Sequence, residues 1–118
     1  MYEIMIEDTF ASAHRLLNYQ GICENQHGHN WKVQVFVLGE KLDEAGILVD
    51  FKELNAALQN VLSEIDHKDL NSLEAFKNKS PSSELIAKFI FDSLKAMLIE
   101  VNKVSVWETE KSKATYWE

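Results

Sequence analysis

The sequence predicts an α+β fold, an antiparallel sheet carrying two helices on one face, and three observations predict it. Near the start, apolar and polar residues alternate with a period of two; in the middle, two stretches repeat apolar residues at helical spacing; short β-rich runs close the chain. The order ββααββ describes an antiparallel sheet covered on one side. Residues 1–118 read as a single domain, with no repeat, low-complexity segment or linker. A sheet of this kind keeps one uncovered face and two edges, so assembly with further copies is expected.

The first strand runs from about residue 2 to 15 and the second from about 29 to 38, where Trp31, Val33, Val35 and Val37 alternate with Lys32, Gln34 and Phe36. Between them, Asn18 to Gln26 is a polar loop that carries Cys23. Gly39 to Gly46 is a second turn region. Asp50 then caps an amphipathic helix, with Glu53 at the capping-box position and Leu54, Leu58, Val61, Leu62 and Ile65 as its core stripe. A second helix begins near Ser80-Pro81-Ser82, with Pro81 suited to its first turn. It runs to about Glu100, with Leu85, Ile86, Phe89, Ile90, Leu94, Met97 and Leu98 inward. Val101 to Glu108 and Ala114 to Trp117 form the closing strand pair.

Composition narrows the function. A net charge of −7 argues against a nucleic-acid surface or an anionic membrane, and no apolar run approaches the ~20 residues of a membrane span. The amino terminus lacks the basic start and cleavage site of a secretory signal, and one cysteine permits no internal disulfide, so a cytoplasmic location is expected. A chain of 118 residues is long enough for a real core, yet short chains often complete an active site at a subunit interface.

The chemistry-bearing residues are concentrated. His27 and His29 stand at i and i+2, on one face of a strand, and His14 lies in a run that can pair beside them. Gly28 between them removes side-chain bulk and frees the backbone to bend toward a shared ion. Three neutral imidazoles converging on one point suit zinc, and three protein ligands leave a position open for substrate. Asp66 and His67 form a second pair, in which the carboxylate can polarise the imidazole.

Five segments in register resemble the 6-pyruvoyl-tetrahydropterin synthase and 6-carboxy-tetrahydropterin synthase family. They are Phe10 to Leu16, Cys23 to Trp31, Gly46 to Phe51, Asp66 to Asn71, and Trp107-Glu108-Thr109, and together they span the chain. The resemblance implies the tunnelling fold, in which ββααββ units form trimers whose sheets close into a barrel, two trimers stacking as a homohexamer. It implies a 7,8-dihydroneopterin triphosphate substrate and a zinc ion (Zn2+) on His14, His27 and His29. It further implies Cys23 as catalytic base, Asp66 and His67 as its proton relay, and Glu108, assisted by Thr109, as the anchor of the pterin ring. Arg15, Lys32 and Lys113 are candidate contacts for the triphosphate.

Three residues separate Cys23 from His27, the spacing of the bacterial branch. That branch releases acetaldehyde and triphosphate and forms 6-carboxy-5,6,7,8-tetrahydropterin on the way to queuosine and other 7-deazapurines. Glu24 keeps a second product open, because relatives that form 6-hydroxymethyl-dihydropterin for folate carry a glutamate there as a second base. A 6-pyruvoyl product and a non-catalytic zinc or pterin-binding module are also compatible with these residues. The ending Tyr116-Trp117-Glu118 departs from the family's common Tyr-Arg-Gly-Glu-like sequence.

Overall fold

The computed structural model describes residues 1–19 and 24–118. Cys23 lies outside the described residues. Strands β1 (Tyr2–His14) and β2 (His27–Gly39) pair along their whole length, from Tyr2 with Gly39 to His14 with His27. Strands β3 (Lys103–Thr109) and β4 (Ser112–Trp117) complete an antiparallel sheet in the order β1-β2-β3-β4. Helix α1 (Phe51–Leu62) packs over β1, and α2 (Ser83–Ala96) lies across β3 and β4. This is the α+β arrangement the sequence predicts. None of the described helices is long and apolar enough to cross a membrane.

Strand alternation decides which side chains meet the helices. Ile6, Phe10, Ser12 and His14 of β1, Trp31, Val33, Val35 and Val37 of β2, and Val104 and Val106 of β3 are buried. They meet Leu54, Leu58, Val61, Leu62 and Ile65 after β2, and Ile86, Ile90, Phe91 and Leu94 from α2. Asp50 caps α1 by accepting from the Lys52 N–H at 2.9 Å.

The ends of elements depart from the expected boundaries. Pro81 precedes α2 instead of opening its first turn, because Ser82 is the cap and its Oγ accepts from the Leu85 N–H at 3.2 Å. The helix stops at Ala96. Leu98 adopts a φ of 64° and the Ile99 N–H turns back to the Leu94 carbonyl, so Met97 and Leu98 point outward, Leu98 being 90% exposed. Strand β2 starts two residues early, at His27, because its ladder with β1 continues to that point. Strand β4 starts at Ser112, with an irregularity between Trp107 and Thr109.

The chain between the helices binds the free edge of β1. The Ala11 carbonyl accepts from the His67 N–H at 2.6 Å, and the Ala13 N–H donates to the Lys68 carbonyl at 3.1 Å. The Ser12 hydroxyl donates to the Ile65 carbonyl. The end of β1 is thereby clamped between β2 and residues 65–69.

Candidate metal centre

The β1–β2 register puts three imidazoles on the helix-covered face at one end of the sheet. His14 pairs directly with His27, and Ser12, one inward position before His14, pairs with His29. Strand β3 adds a fourth group, because the inward positions Val104 and Val106 are followed two residues later by Glu108. One donor atom from each of His14, His27, His29 and Glu108 lies within 4.8 Å of all the others, a group able to hold a metal ion. Trp31 forms the wall behind them. It is fully buried, its ring meets His14 and His29 edge-on at 4.9 and 5.2 Å, and its indole N–H donates to the Ser12 carbonyl at 3.1 Å.

Hydrogen bonds on the far sides of the rings fix which nitrogens face inward with lone pairs. His14 Nδ1 lies 2.7 Å from the Pro81 carbonyl, and His27 Nδ1 lies 2.9 Å from the Asn25 carbonyl. A carbonyl only accepts, so each Nδ1 carries the proton and each neutral ring presents a bare Nε2. Those two Nε2 atoms are 3.1 Å apart. Two lone pairs at that separation repel unless a cation lies between them. His29 Nε2 is buried with no hydrogen-bond partner, and burial lowers the His29 pKa below its ordinary value against the opposing pull of Glu108. A buried orphan nitrogen beside two bare ones and a carboxylate fits a divalent ion, and imidazole with carboxylate is a donor set that zinc accepts.

Asp66 and His67 are built differently. Asp66 Oδ1 accepts from the Ala11 N–H at 2.9 Å and lies 2.9 Å from His67 Nδ1. The Ala11 hydrogen bond, and after it His67, lowers the Asp66 pKa. His67, at a φ of 57°, has a side chain 80% exposed. The adjoining cleft of about 260 Å³ is lined by Thr9, Phe10, Ala11 and Asn30, and no member of the four-residue cluster reaches it. The pair is therefore formed, but it stands apart from the imidazoles within one chain.

The remaining expectations divide. Glu24 Oε1 accepts from the Leu16 N–H at 3.1 Å and lies 3.8 Å from His27 Nδ1, the side of the ring turned away from the cluster. Thr109 Oγ1 accepts from the Lys111 N–H in the β3–β4 turn. Lys32 and Lys113 both extend over Trp107, at 4.5 and 5.3 Å, on the helix-free face of the sheet. They face away from the imidazoles, because the odd offset from Trp31 to Lys32 reverses the side. Arg15 is joined by its backbone to Asn71. Gly28 needs no special freedom, since a Cβ there would meet nothing within 4 Å and its φ is not positive. Plain strand geometry brings His27 and His29 together.

Sequence reasoning missed the carbonyls of Pro81 and Asn25, the Trp31 wall, and the entry of Glu108 among the imidazoles. Only the last had a legible signal, the alternation Val104, Val106, Glu108.

Comparison with known proteins agrees with this architecture. The family model for 6-pyruvoyl tetrahydropterin synthase matches residues 3–118. The 6-carboxy-5,6,7,8-tetrahydropterin synthase of Synechocystis is 35% identical, the match covering 99% of this chain and 94% of that protein. A protein of the same name from Haemophilus influenzae is 29% identical, with 100% of each chain covered. The structure of 6-pyruvoyl tetrahydropterin synthase from Caenorhabditis elegans superimposes with a TM-score of 0.83 at 28% identity, covering 100% of this chain and 97% of that one. From its first strand to its last, the chain belongs to the 6-pyruvoyl tetrahydropterin synthase family.

Proposed function

We propose that this protein is a zinc-dependent lyase that converts 7,8-dihydroneopterin triphosphate and water to 6-carboxy-5,6,7,8-tetrahydropterin, acetaldehyde and triphosphate, in queuosine and 7-deazapurine biosynthesis. The observation that carries the reading is the meeting of three imidazole nitrogens, two with their outer N–H groups committed to carbonyls and the third a buried orphan. The names of the Synechocystis and Haemophilus relatives support this product.

His14, His27 and His29 would hold the zinc. When bound, it supplies a Lewis acid that acidifies C–H bonds beside oxygens of the pterin side chain. Glu108 would accept hydrogen bonds from the amino group and neighbouring N–H of the pterin ring, placing that side chain at the imidazoles. Cys23, in the loop between β1 and β2, would take up the proton as a thiolate. Asp66 holds His67 through Nδ1, which leaves Nε2 free to exchange a proton.

A second copy of the chain would complete that exchange. His67 is exposed on the side of β1 away from the imidazoles, so a neighbouring subunit packed along this edge would cover it. A trimer or hexamer is therefore part of the proposal. Glu24 is engaged by the Leu16 N–H and lies on the outer side of His27, which supports the carboxy-forming reading over the 6-hydroxymethyl one.

The test is to incubate zinc-loaded protein with 7,8-dihydroneopterin triphosphate and identify the pterin by mass. A 6-carboxy product with acetaldehyde is expected. A 6-pyruvoyl or 6-hydroxymethyl product would reassign the reaction, and no turnover would return the chain to a binding role.

A further inference from the structure

We infer that Glu108 is the fourth ligand of the metal in the substrate-free protein, and that it exchanges between two partners, the ion at rest and the pterin ring when substrate enters. Glu108 Oε1 lies 3.0 Å from His14 Nε2 and 3.4 Å from His29 Nε2, and His14 and His27 Nε2 are 3.1 Å apart. Zinc bonds of about 2.0–2.1 Å in a tetrahedron place neighbouring ligand atoms about 3.3–3.4 Å apart. The three spacings of 3.0, 3.1 and 3.4 Å lie at or just under the edges of such a figure, and all four donor atoms lie within 4.8 Å of one another.

Hydrogen bonding accounts for them less well. His14 is held at Nδ1 by the Pro81 carbonyl, and its Nε2 meets both Glu108 Oε1 and His27 Nε2, so a hydrogen bond from that one nitrogen could be aimed at no more than one of them. Such a bond would also leave His29 Nε2, buried and unpartnered, facing the same carboxylate oxygen. A divalent ion satisfies all four atoms together. The irregularity in the β3–β4 ladder, between Trp107 and Thr109, falls at Glu108 and gives it a position outside the regular pairing.

The exchange half rests on the proposed reaction. A site closed by four protein donors has no vacant position for substrate in a tetrahedral sphere, so one donor must leave. Glu108 is the one whose release is compensated, because the pterin N–H groups replace the ion as its partner while a substrate oxygen takes its place. In this reading Glu108 couples recognition of the ring to opening of the metal. It is a switchable ligand, not solely an anchor.

The test uses full-length protein loaded with cobalt in place of zinc, whose visible bands report ligand exchange, with thiocyanate as a small probe of an open position. Wild-type protein should resist thiocyanate, and Glu108→Ala should take it up at a concentration lower by at least about tenfold. Zinc affinity of Glu108→Gln and Glu108→Ala, by chelator competition, should fall at least about tenfold, a loss already typical when only the outer support of a ligand is removed. Glu110→Gln, in the adjacent exposed turn, should match wild type, and circular dichroism checks that each variant is folded. Wild-type protein that takes thiocyanate as readily as Glu108→Ala, with zinc affinity unchanged, overturns the ligand assignment.

Adding 7,8-dihydroneopterin to wild-type cobalt protein should shift the bands. Bound pterin, seen by fluorescence, with an unchanged spectrum overturns the exchange. Absence of pterin binding overturns the proposed function instead, and the thiocyanate result still decides the ligand.

Discussion

Two histidine-bearing constellations flank the end of β1, and they are assembled by opposite means. The group of His14, His27, His29 and Glu108 comes from three paired strands, faces the helices, and has two of its three rings held by backbone carbonyls. The Asp66–His67 pair comes from a turn laid along the free edge of β1, and its imidazole faces solvent. Ala11, which anchors Asp66, is three residues from His14, roughly 10 Å along an extended strand and on the other side of it. The contrast teaches that sheet register, with two backbone carbonyls behind the rings, gathers one group of imidazoles within a chain, while the Asp66–His67 pair is formed at an edge and left facing outward.

The largest effect that would break this contrast is loss of the metal. Replacing His14, His27 or His29 with alanine should strip the ion and abolish turnover while circular dichroism still shows a folded chain. Metal analysis showing full occupancy in the triple variant would remove the three imidazoles as ligands. Next comes the relay: His67→Ala should lower turnover by roughly 10²-fold or more, with metal content unchanged. Co-assembling inactive His14→Ala with inactive His67→Ala sharpens the contrast further. Activity should return in the mixture, because some interfaces then combine an intact metal centre from one chain with an intact relay from another. Mixed oligomers that stay inactive would mean each chain uses its own pair.

The smallest effect concerns stability. Asp66→Ala leaves the Ala11 N–H without its acceptor and should cost about 1 kcal/mol, at the low end for such a loss because the Asp66 side chain is 38% exposed. The sign with pH follows from the lowered Asp66 pKa. Its stabilisation is fully present above the unfolded carboxylate value, about pH 4, and is lost as pH falls through the lower folded value. Denaturant midpoints for wild type and variant should therefore converge in acid. A gap that widened instead would show that the carboxylate is not what ties residues 65–69 to β1.

Sequence patterning carried most of the fold, because burial on one face forces a period that can be read. The alternation from Trp31 to Val37 and the stripe from Leu54 to Ile65 place the same residues inside that the structure does. Element ends were less legible. Met97 and Leu98 continue the apolar stripe of α2, and no glycine marks the stop, since Leu98 itself takes the left-handed turn that glycine usually supplies. Of the candidate site, the three imidazoles were legible from His-Gly-His and the strand containing His14. The supports for those rings were not, because a backbone carbonyl such as that of Pro81 has no residue-type signature. The separation of Asp66 and His67 from the cluster was also hidden, for it depends on which edge of β1 the turn occupies.

The Pro81 carbonyl has a consequence beyond the His14 ring. Residues 14, 27, 29 and 108 span most of the sequence, and Pro81 ties the segment leading into α2 to the same point. An ion shared by these residues acts as a removable cross-link that closes nearly the whole chain into loops, so part of its binding energy is folding energy. Damage to the α2 core, far from any ligand, would therefore register as weakened metal retention, and depletion of the ion would register as faster proteolysis of distant helices.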